Sequence, residues 1–529
     1  MRIDKVTIED FKNLKEFSID FDKAKMKTVL LGQNATGKSN FIEALVLIFK
    51  YLDLSNETKR KPAPFNYSIK YKIHGNEISI EHQKNEYEIT INGEKIKNFK
   101  SFFSLEGKRL YQPKYVFTYY SGLSNKLKEH FWEHQEKFYE RIIKPDFKED
   151  ELDSLRKLFY VQLVHSYFVL LAYFSFAEEE KESISFLNDV LKIKDIESIL
   201  FVLKMPDWAK NQIKKDPDDR FWTAKGLVRN FLDLLWKYSL APIYHHEEIE
   251  IDFKKNDPQD RLYLYISTKE KLKALAKNYE SNTGFFKALE STYISKLIAE
   301  VRIKVKKKNV DEGITFKELS EGEQQLLTVL GLLKFTKDKE SLILLDEPDT
   351  HLNPIWKWKY FEYLDRVVKK HETTQIIINT HDPLVIGSLT KEEVRIFRDD
   401  EGKVTVKQPD VDPRGLGVEG ILTSDLFGLK TVLDDNTLRK LEKRNDLLVK
   451  QQKKLLTAKD KDDLNRLYKE LNELGFSQTF RDPLYQKFII AFRKKTKSLK
   501  FDKYSKEDIE AQNKIAFEVL EEIEKEKKK

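Results

Sequence analysis

Ser341–Pro354 reads SLILLDEPDTHLNP, an apolar run that stops on two adjacent carboxylates, Asp346 and Glu347. Ser341 and Leu342–Leu345 are too short a run for a helix. They read as a strand buried on both faces of a mostly parallel sheet. A buried strand does not tolerate charge, so Asp346 and Glu347 belong at its carboxyl end, where open α/β sheets hold their ligands. Two carboxylates there can divide the work, one holding a hydrated Mg²⁺ and the next polarising a water for attack on a phosphate. Read alone, the stretch also fits a strand closed by a solvated acidic turn.

Upstream, Met26–Leu31 reads as another short buried strand and runs directly into Gly32-Gln33-Asn34-Ala35-Thr36-Gly37-Lys38-Ser39. A helical apolar pattern follows from Asn40 to Leu52. Strand, GxxxxGKS and helix in succession are the context a phosphate-binding loop requires. The glycines allow the tight path, and the amides and helix start face the phosphates. Lys38 reaches the β and γ phosphates, and the Ser39 hydroxyl can ligate Mg²⁺. Downstream of a strand at Ile314–Lys317, Leu319-Ser320-Glu321-Gly322-Glu323-Gln324-Gln325 opens an apolar helix, Leu326–Phe335. Ser320 sits where an N-cap belongs, and with Glu323 it also spells an ordinary capping box. After the carboxylate strand, Gln375–Asn379 reads as a strand that delivers Thr380-His381-Asp382-Pro383.

The 529 residues suit about three domains. With 40% hydrophobic and 35% charged residues the chain can build cores and stay solvated, and a net charge of +7 permits nucleic-acid contact without requiring it. Cysteine is absent, which excludes disulfides, thiolate metal sites and a cysteine nucleophile. The opening MRIDKVTIED has no apolar core of a signal peptide, so a cytoplasmic location is expected. Leu158–Ala177 carries no formal charge over a membrane-spanning length, but Gln162, His165, Ser166 and Ser175 interrupt it. A buried helix is expected there and no membrane span. His245-His246 beside Glu247-Glu248 would alternate faces along a strand and so does not form a metal cluster.

In this order, and with a long insertion between the first and second, GQNATGKS, LSEGEQQ, LILLDEP and INTHDP resemble the ABC-type ATPases of the SMC, RecF and OLD group. The resemblance implies an α/β fold: a mixed-sheet ATPase head with a P-loop and an antiparallel β subdomain. It also implies ATP and Mg²⁺ as ligands. Residues Gly32 to Asn40, with Lys12 and Asn13 from the preceding turn, would contact nucleotide; Ser39 and Asp346 would hold the metal. Glu347 would be the general base, and His381 would touch the γ phosphate. Ser320, Gly322 and Glu323 would face nucleotide held by a second subunit, in a homodimer or higher oligomer. Glu321 stands where the family usually has a second glycine. The usual glutamine after the strand Val116–Tyr120 has no clear counterpart, since Gln112 precedes that strand and Ser121 follows it.

The expected organisation is an N-terminal ATPase lobe at 1–122, a helical insertion at 123–240, a C-terminal ATPase lobe at 241–408 and a helical, partner-binding region at 409–529. Residues 66–96, with their Asn92-Gly93 turn, predict a small antiparallel sheet. From Val411 onward 27 Lys and Arg face 22 Asp and Glu, and Leu441, Leu448 and Leu455 fall on one helical seam. Gly417-Val418-Glu419-Gly420 resembles a Toprim nuclease opening, but Pro413, Gly415 and Gly417 spoil the strand it needs and no Asp-x-Asp strand follows. YYSGLSNKL (119–127), GILTSDLFGL (420–429) and RDPLYQKF (481–488) resemble PtuA-type ATPase subunits of Septu and retron-associated antiphage systems. That narrower resemblance implies control of a separate, PtuB-like HNH nuclease and, in a retron, contact with a reverse transcriptase and its RNA–DNA hybrid. The alternatives are a RecF-like DNA-repair ATPase that clamps DNA and, further off, an OLD-type nuclease.

Overall fold

The computed structural model describes residues 1–529 apart from 123, 125, 145–156, 210–219, 309–312, 337–339, 369–372, 430, 453–454, 475–487, 489–494, 496–505 and 528–529. Almost all of the RDPLYQKF motif and most of the basic run that follows it lie outside the described residues. The chain forms two compact units, Met1–Gly428 and Leu429–Lys529.

The first unit is organised on a seven-stranded sheet of order β18-β17-β3-β16-β15-β8-β9. Its strands are β3 (Lys27–Gly32), β8 (Tyr115–Tyr120), β9 (Leu158–Val161), β15 (Ser341–Asp346), β16 (Thr374–Asn379), β17 (Val394–Asp400) and β18 (Lys403–Lys407). All neighbours pair in parallel except β17 with β18. β15 is buried from end to end, as its continuous apolar reading requires. Its alternate side chains feed two cores. Leu342 and Leu344 join one, Ile343 and Leu345 the other.

The first of these cores holds helix α1 (Lys38–Leu54) and an antiparallel sheet of order β2-β1-β4-β5-β6-β7. That sheet comprises β1 (Arg2–Phe11), β2 (Leu14–Asp20), β4 (Tyr67–Ile73), β5 (Asn76–Gln83), β6 (Glu86–Ile91) and β7 (Glu94–Lys95). Asn92 and Gly93 both take positive φ, 52° and 86°, as a two-residue hairpin turn demands. The second core holds helices including α2 (Trp132–Ile142), α3 (Val164–Ser175) and α4 (Glu321–Thr336), and a second antiparallel sheet. Its strand order is β11-β12-β10-β13-β14: β10 (Ile193–Lys204), β11 (Leu240–Asp252), β12 (Lys255–Ile266), β13 (Ile298–Lys307) and β14 (Ile314–Thr315).

Two expectations are corrected here. The insertion at 123–240 is not wholly helical: β9 extends the main sheet and β10 is the centre of the second one. Leu158–Ala177 is accordingly a strand followed by the twelve-residue α3, and among the described residues no helix is long and apolar enough to cross a membrane. The first unit also extends past residue 408, beyond the expected lobe boundary. Ile421 and Leu426 enter its core, and Arg398 donates to the Asp425 carbonyl at 3.2 Å.

In the second unit, helices Asp435–Gln452 and Ala458–Glu473 meet through Leu447, Leu464 and Leu467, with Leu448 at the margin. Leu455 lies beyond the first helix and is 66% exposed, so the expected 441–448–455 seam is replaced by one centred on Leu447. A third helix spans Lys506–Lys527.

Candidate functional site

The carboxyl ends of β3, β15 and β16 converge, and the parallel register of β15 with β16 sets Asp346 directly beside Asn379. Between β3 and α1, residues 33–37 form the loop. Gly32 has φ 145°, and a Cβ there would lie 2.4 Å from the Phe397 carbonyl oxygen; Gly37, at φ 92°, is hemmed in by Leu14 and Asn13. Both positions therefore require glycine. The Lys38 ammonium folds back over the loop and donates to the carbonyls of Gly32 and Gln33 at 2.7 and 2.8 Å. Burial lowers its pKa, partly opposed by Glu347 and Asp346. Thr36 donates to the Gln33 carbonyl at 2.8 Å, and Ala35, at φ 67°, offers its carbonyl to Asn13 at 2.9 Å. Asn40 in turn donates to Asn13 at 2.7 Å.

Asp346 is fully buried. Burial pushes its carboxyl up to about 6, against hydrogen bonds from Ser39 and Asn379. Asn379 donates to Asp346 Oδ1 and lies 3.4 Å from the Ser39 hydroxyl, while Asp346 Oδ2 has no hydrogen-bond partner among the described residues. Glu347 takes φ 55°, an unfavourable backbone state for this residue type, and turns its carboxylate off the strand axis. Its Oε2 lies 2.8 Å from His381 Nδ1 and, among the described residues, accepts no hydrogen bond. A buried carboxylate with one unmatched oxygen, beside a hydroxyl and a second carboxylate, is a set of hard oxygen donors that fits Mg²⁺.

The remaining expected residues fall into two groups. Asn13, Asn40 and the whole 32–39 loop are gathered at the site. Lys12 points elsewhere: its ammonium pairs with Glu43 on α1. Ser320 and Glu323 form a reciprocal cap, with Glu323 accepting from the Ser320 amide at 2.9 Å and the Glu323 amide donating to the Ser320 hydroxyl at 3.3 Å. The other Glu323 oxygen takes Lys307 at 2.6 Å, so this carboxylate is committed within its own chain. Gly322 is required by crowding, since a Cβ would lie 2.5 Å from the His351 carbonyl oxygen. Gln112 is buried under α1, and Ser121 instead reaches the site's edge, with its amide donating to the Asp346 carbonyl at 3.2 Å and its hydroxyl 3.0 Å from that of Thr350.

Three polar residues escaped the sequence reading. Asn379 ends an apolar strand, and a polar residue closing such a run is its one sequence signal; its place beside Asp346 comes from the strand register. Asp349 is buried, and burial pushes it up to about 6; Thr380 donates to it at 3.0 Å and so ties the loop after β15 to the end of β16. Gln325 accepts from the His351 amide at 3.0 Å and donates to the Tyr119 hydroxyl at 3.1 Å, joining α4 to the same loop.

The AAA ATPase domain family matches residues 1–386. The chain is 28% identical over 180 residues to the Septu protein PtuA of Bacillus mycoides (strain KBAB4), a match covering 30% of this chain and 24% of that protein. It is 23% identical over 246 residues to the Retron Vc95 probable ATPase of Vibrio cholerae serotype O1 biovar El Tor, covering 41% and 46% respectively. These matches thus span less than half the length of either relative. Among solved structures, an SmcHead bound to the C-winged helix domain of ScpA aligns with 77% of this chain and 97% of its own, at 14% identity and a TM-score of 0.32.

Proposed function

We propose that this chain, which belongs to the AAA ATPase domain family, binds and hydrolyses ATP and uses its nucleotide state to control a separate HNH nuclease in an antiphage defence complex. The observation that carries the ATPase reading is the buried, half-satisfied Asp346 set between Ser39 and Asn379, next to a phosphate loop whose lysine is held by its own backbone carbonyls. Lys38 exchanges those carbonyls for phosphate oxygens when ATP enters. Ser39 and Asp346 would hold Mg²⁺, which would supply charge neutralisation to the phosphates. Glu347 Oε2 accepts the proton of the attacking water, and its lack of a hydrogen bond keeps it available for that. His381, 64% exposed by its side chain and beside Glu347, donates to the γ phosphate.

The signature segment works in trans in this reading. Ser320 and Gly322 engage nucleotide on a second copy, so ATP draws two heads together; sedimentation of Glu347→Gln with ATP should show the dimer, and an unchanged monomer would contradict it. The defence role is supported by the likeness to a Septu PtuA and a retron ATPase. A separate nuclease is supported by the assignment of the Asp346–Glu347 pair to ATP and by the place of Glu419, in the helix Gly417–Thr423 rather than at a strand end. The helices after residue 428 are the proposed partner surface. The isolated chain, incubated with linear and supercoiled DNA, Mg²⁺ or Mn²⁺, with and without ATP, should cut neither; with its HNH partner, cleavage should follow nucleotide state. Metal-dependent cutting by the isolated chain, lost in Glu419→Ala, would overturn the proposal.

A further inference from the structure

Helix α2 and the turn before it present two faces. One docks on α1: His130 lies 3.1 Å from Glu43, and His134 lies 3.0 Å from Asp53. The opposite face, marked by Lys128, Trp132 and Tyr139, lines a cleft of about 600 Å³. Trp208 and Tyr293 supply the facing wall, and Lys296 stands at its margin. Trp132 is 54% exposed although it borders this concavity. A large ring left half in water inside an aromatic cleft is poised to cover a planar ligand.

The polar groups are as selective as the rings. Among the described residues neither Lys128 nor Lys296 has an ion-pair partner, and Glu136 is the acid on the same lining, so two cations face one carboxylate. On the same lining the Gln162 side-chain carbonyl accepts from the Tyr293 hydroxyl at 3.0 Å, which fixes the amide and leaves its N–H groups for a ligand. His165, 2% exposed, is fixed beneath by the backbone of Gln162 and lies 3.6 Å from the buried Glu290. Apolar rings for stacking, a fixed amide for an edge contact and lysines at the rim match a base carrying a phosphate.

We propose that this cleft is a second ligand site, separate from the phosphate loop, that takes a nucleobase together with its phosphate. The base stacks against Trp132, its polar edge meets Gln162, and the phosphate lies toward Lys128. The same chemistry is offered by a free nucleotide and by a nucleotide within a single strand. The cleft also borders the ATPase site: Lys128, Tyr160 and Gln162 are shared with a second hollow lined by Ser121, Glu321 and His351. An occupant therefore presses on α2, which Glu43 and Asp53 tie to the helix that begins with Lys38 and Ser39.

The test uses the full-length Lys38→Ala chain, so that binding at the phosphate loop does not contribute, and its result stands whether or not the chain hydrolyses ATP. Binding of a fluorescein-labelled oligodeoxythymidylate of about ten nucleotides is followed by anisotropy, and binding of free dTMP and AMP by tryptophan quenching. Trp132→Ala should weaken binding about tenfold or more, the worth of one stacked base, Trp132→Phe should restore most of it, and Lys128→Ala should weaken binding and flatten its salt dependence. Unchanged melting of Trp132→Ala verifies its fold. Binding of the oligomer alone identifies a strand as the occupant, and binding of the monophosphates identifies a free nucleotide. Binding by neither, or affinities within twofold of the parent in both Trp132→Ala and Lys128→Ala, would overturn the proposal.

Discussion

Asp346→Asn should make the empty protein more stable while abolishing its turnover. The fully buried carboxyl is pushed from an ordinary 3.8 to about 6 by burial. Because the folded value is raised, stability is greatest below pH 3.8, where the group is protonated in both states, and is lost as pH rises through about 6. That interval, at about 1.4 kcal/mol per pH unit, amounts to about 3 kcal/mol at neutral pH. Asparagine keeps an oxygen for Asn379 and offers its amide to the Ser39 hydroxyl, so it removes the buried charge with little loss of hydrogen bonding. All six tryptophans lie between residues 132 and 358, so their fluorescence in urea reports the Met1–Gly428 unit. Measured in EDTA without nucleotide, the variant's advantage over the parent should grow by about 2–3 kcal/mol between pH 4 and pH 7. A gap that does not change with pH, or a variant less stable than the parent at pH 7, would refute the reasoning.

Three further outcomes follow from the same geometry. Asn379→Ala removes a hydrogen bond to a buried carboxylate worth about 1.5–3 kcal/mol, so kcat/KM for ATP should fall about 10- to 100-fold with nucleotide affinity less affected, as separate binding and turnover assays would show. Gly322→Ala should lower the melting temperature, because its Cβ would meet the His351 carbonyl at 2.5 Å; melting unchanged within about 1 °C would mean the two segments separate freely. Burial opposes ionisation of Glu43, but hydrogen bonds from His130, Lys12 and Lys126 outweigh it and hold the carboxyl down to about 2. Glu43→Gln should cost about 2 kcal/mol at pH 7, limited because the two lysines are partly exposed and rehydrate; that contribution is present above pH 4.5 and fades as pH falls toward 2, so the cost of the substitution shrinks on acidification.

The chemistry was legible in the sequence wherever backbone and side chain carry one message. The 32–39 loop sits between an apolar strand and a helix, and two of its glycines take positive φ. β15 is buried along its whole length, so its continuous apolar run had only one reading. β10 does not read as a strand in the sequence, because Ile193, Ile196 and Ile199 recur at a helix-like interval of three. Bulges after Ile193 and Ile196 shift the strand's parity and bring all three to the core. β9 was hidden for another reason: its four residues precede an apolar helix, and composition alone does not separate the two. The pairing of Lys12 with Glu43 joins residues far apart along the chain, and no local signal in the sequence announces it.

The central claim, that the loop and the carboxylates form one ATP site, is tested most directly by comparing ATP binding and turnover in two variants. Lys38→Ala should lose nucleotide binding, because it removes the main counter-charge to the phosphates. Glu347→Gln should keep the parent's affinity and lose hydrolysis, because the water loses its base. Equal loss of affinity in both variants, or undiminished hydrolysis by Glu347→Gln, would contradict the account.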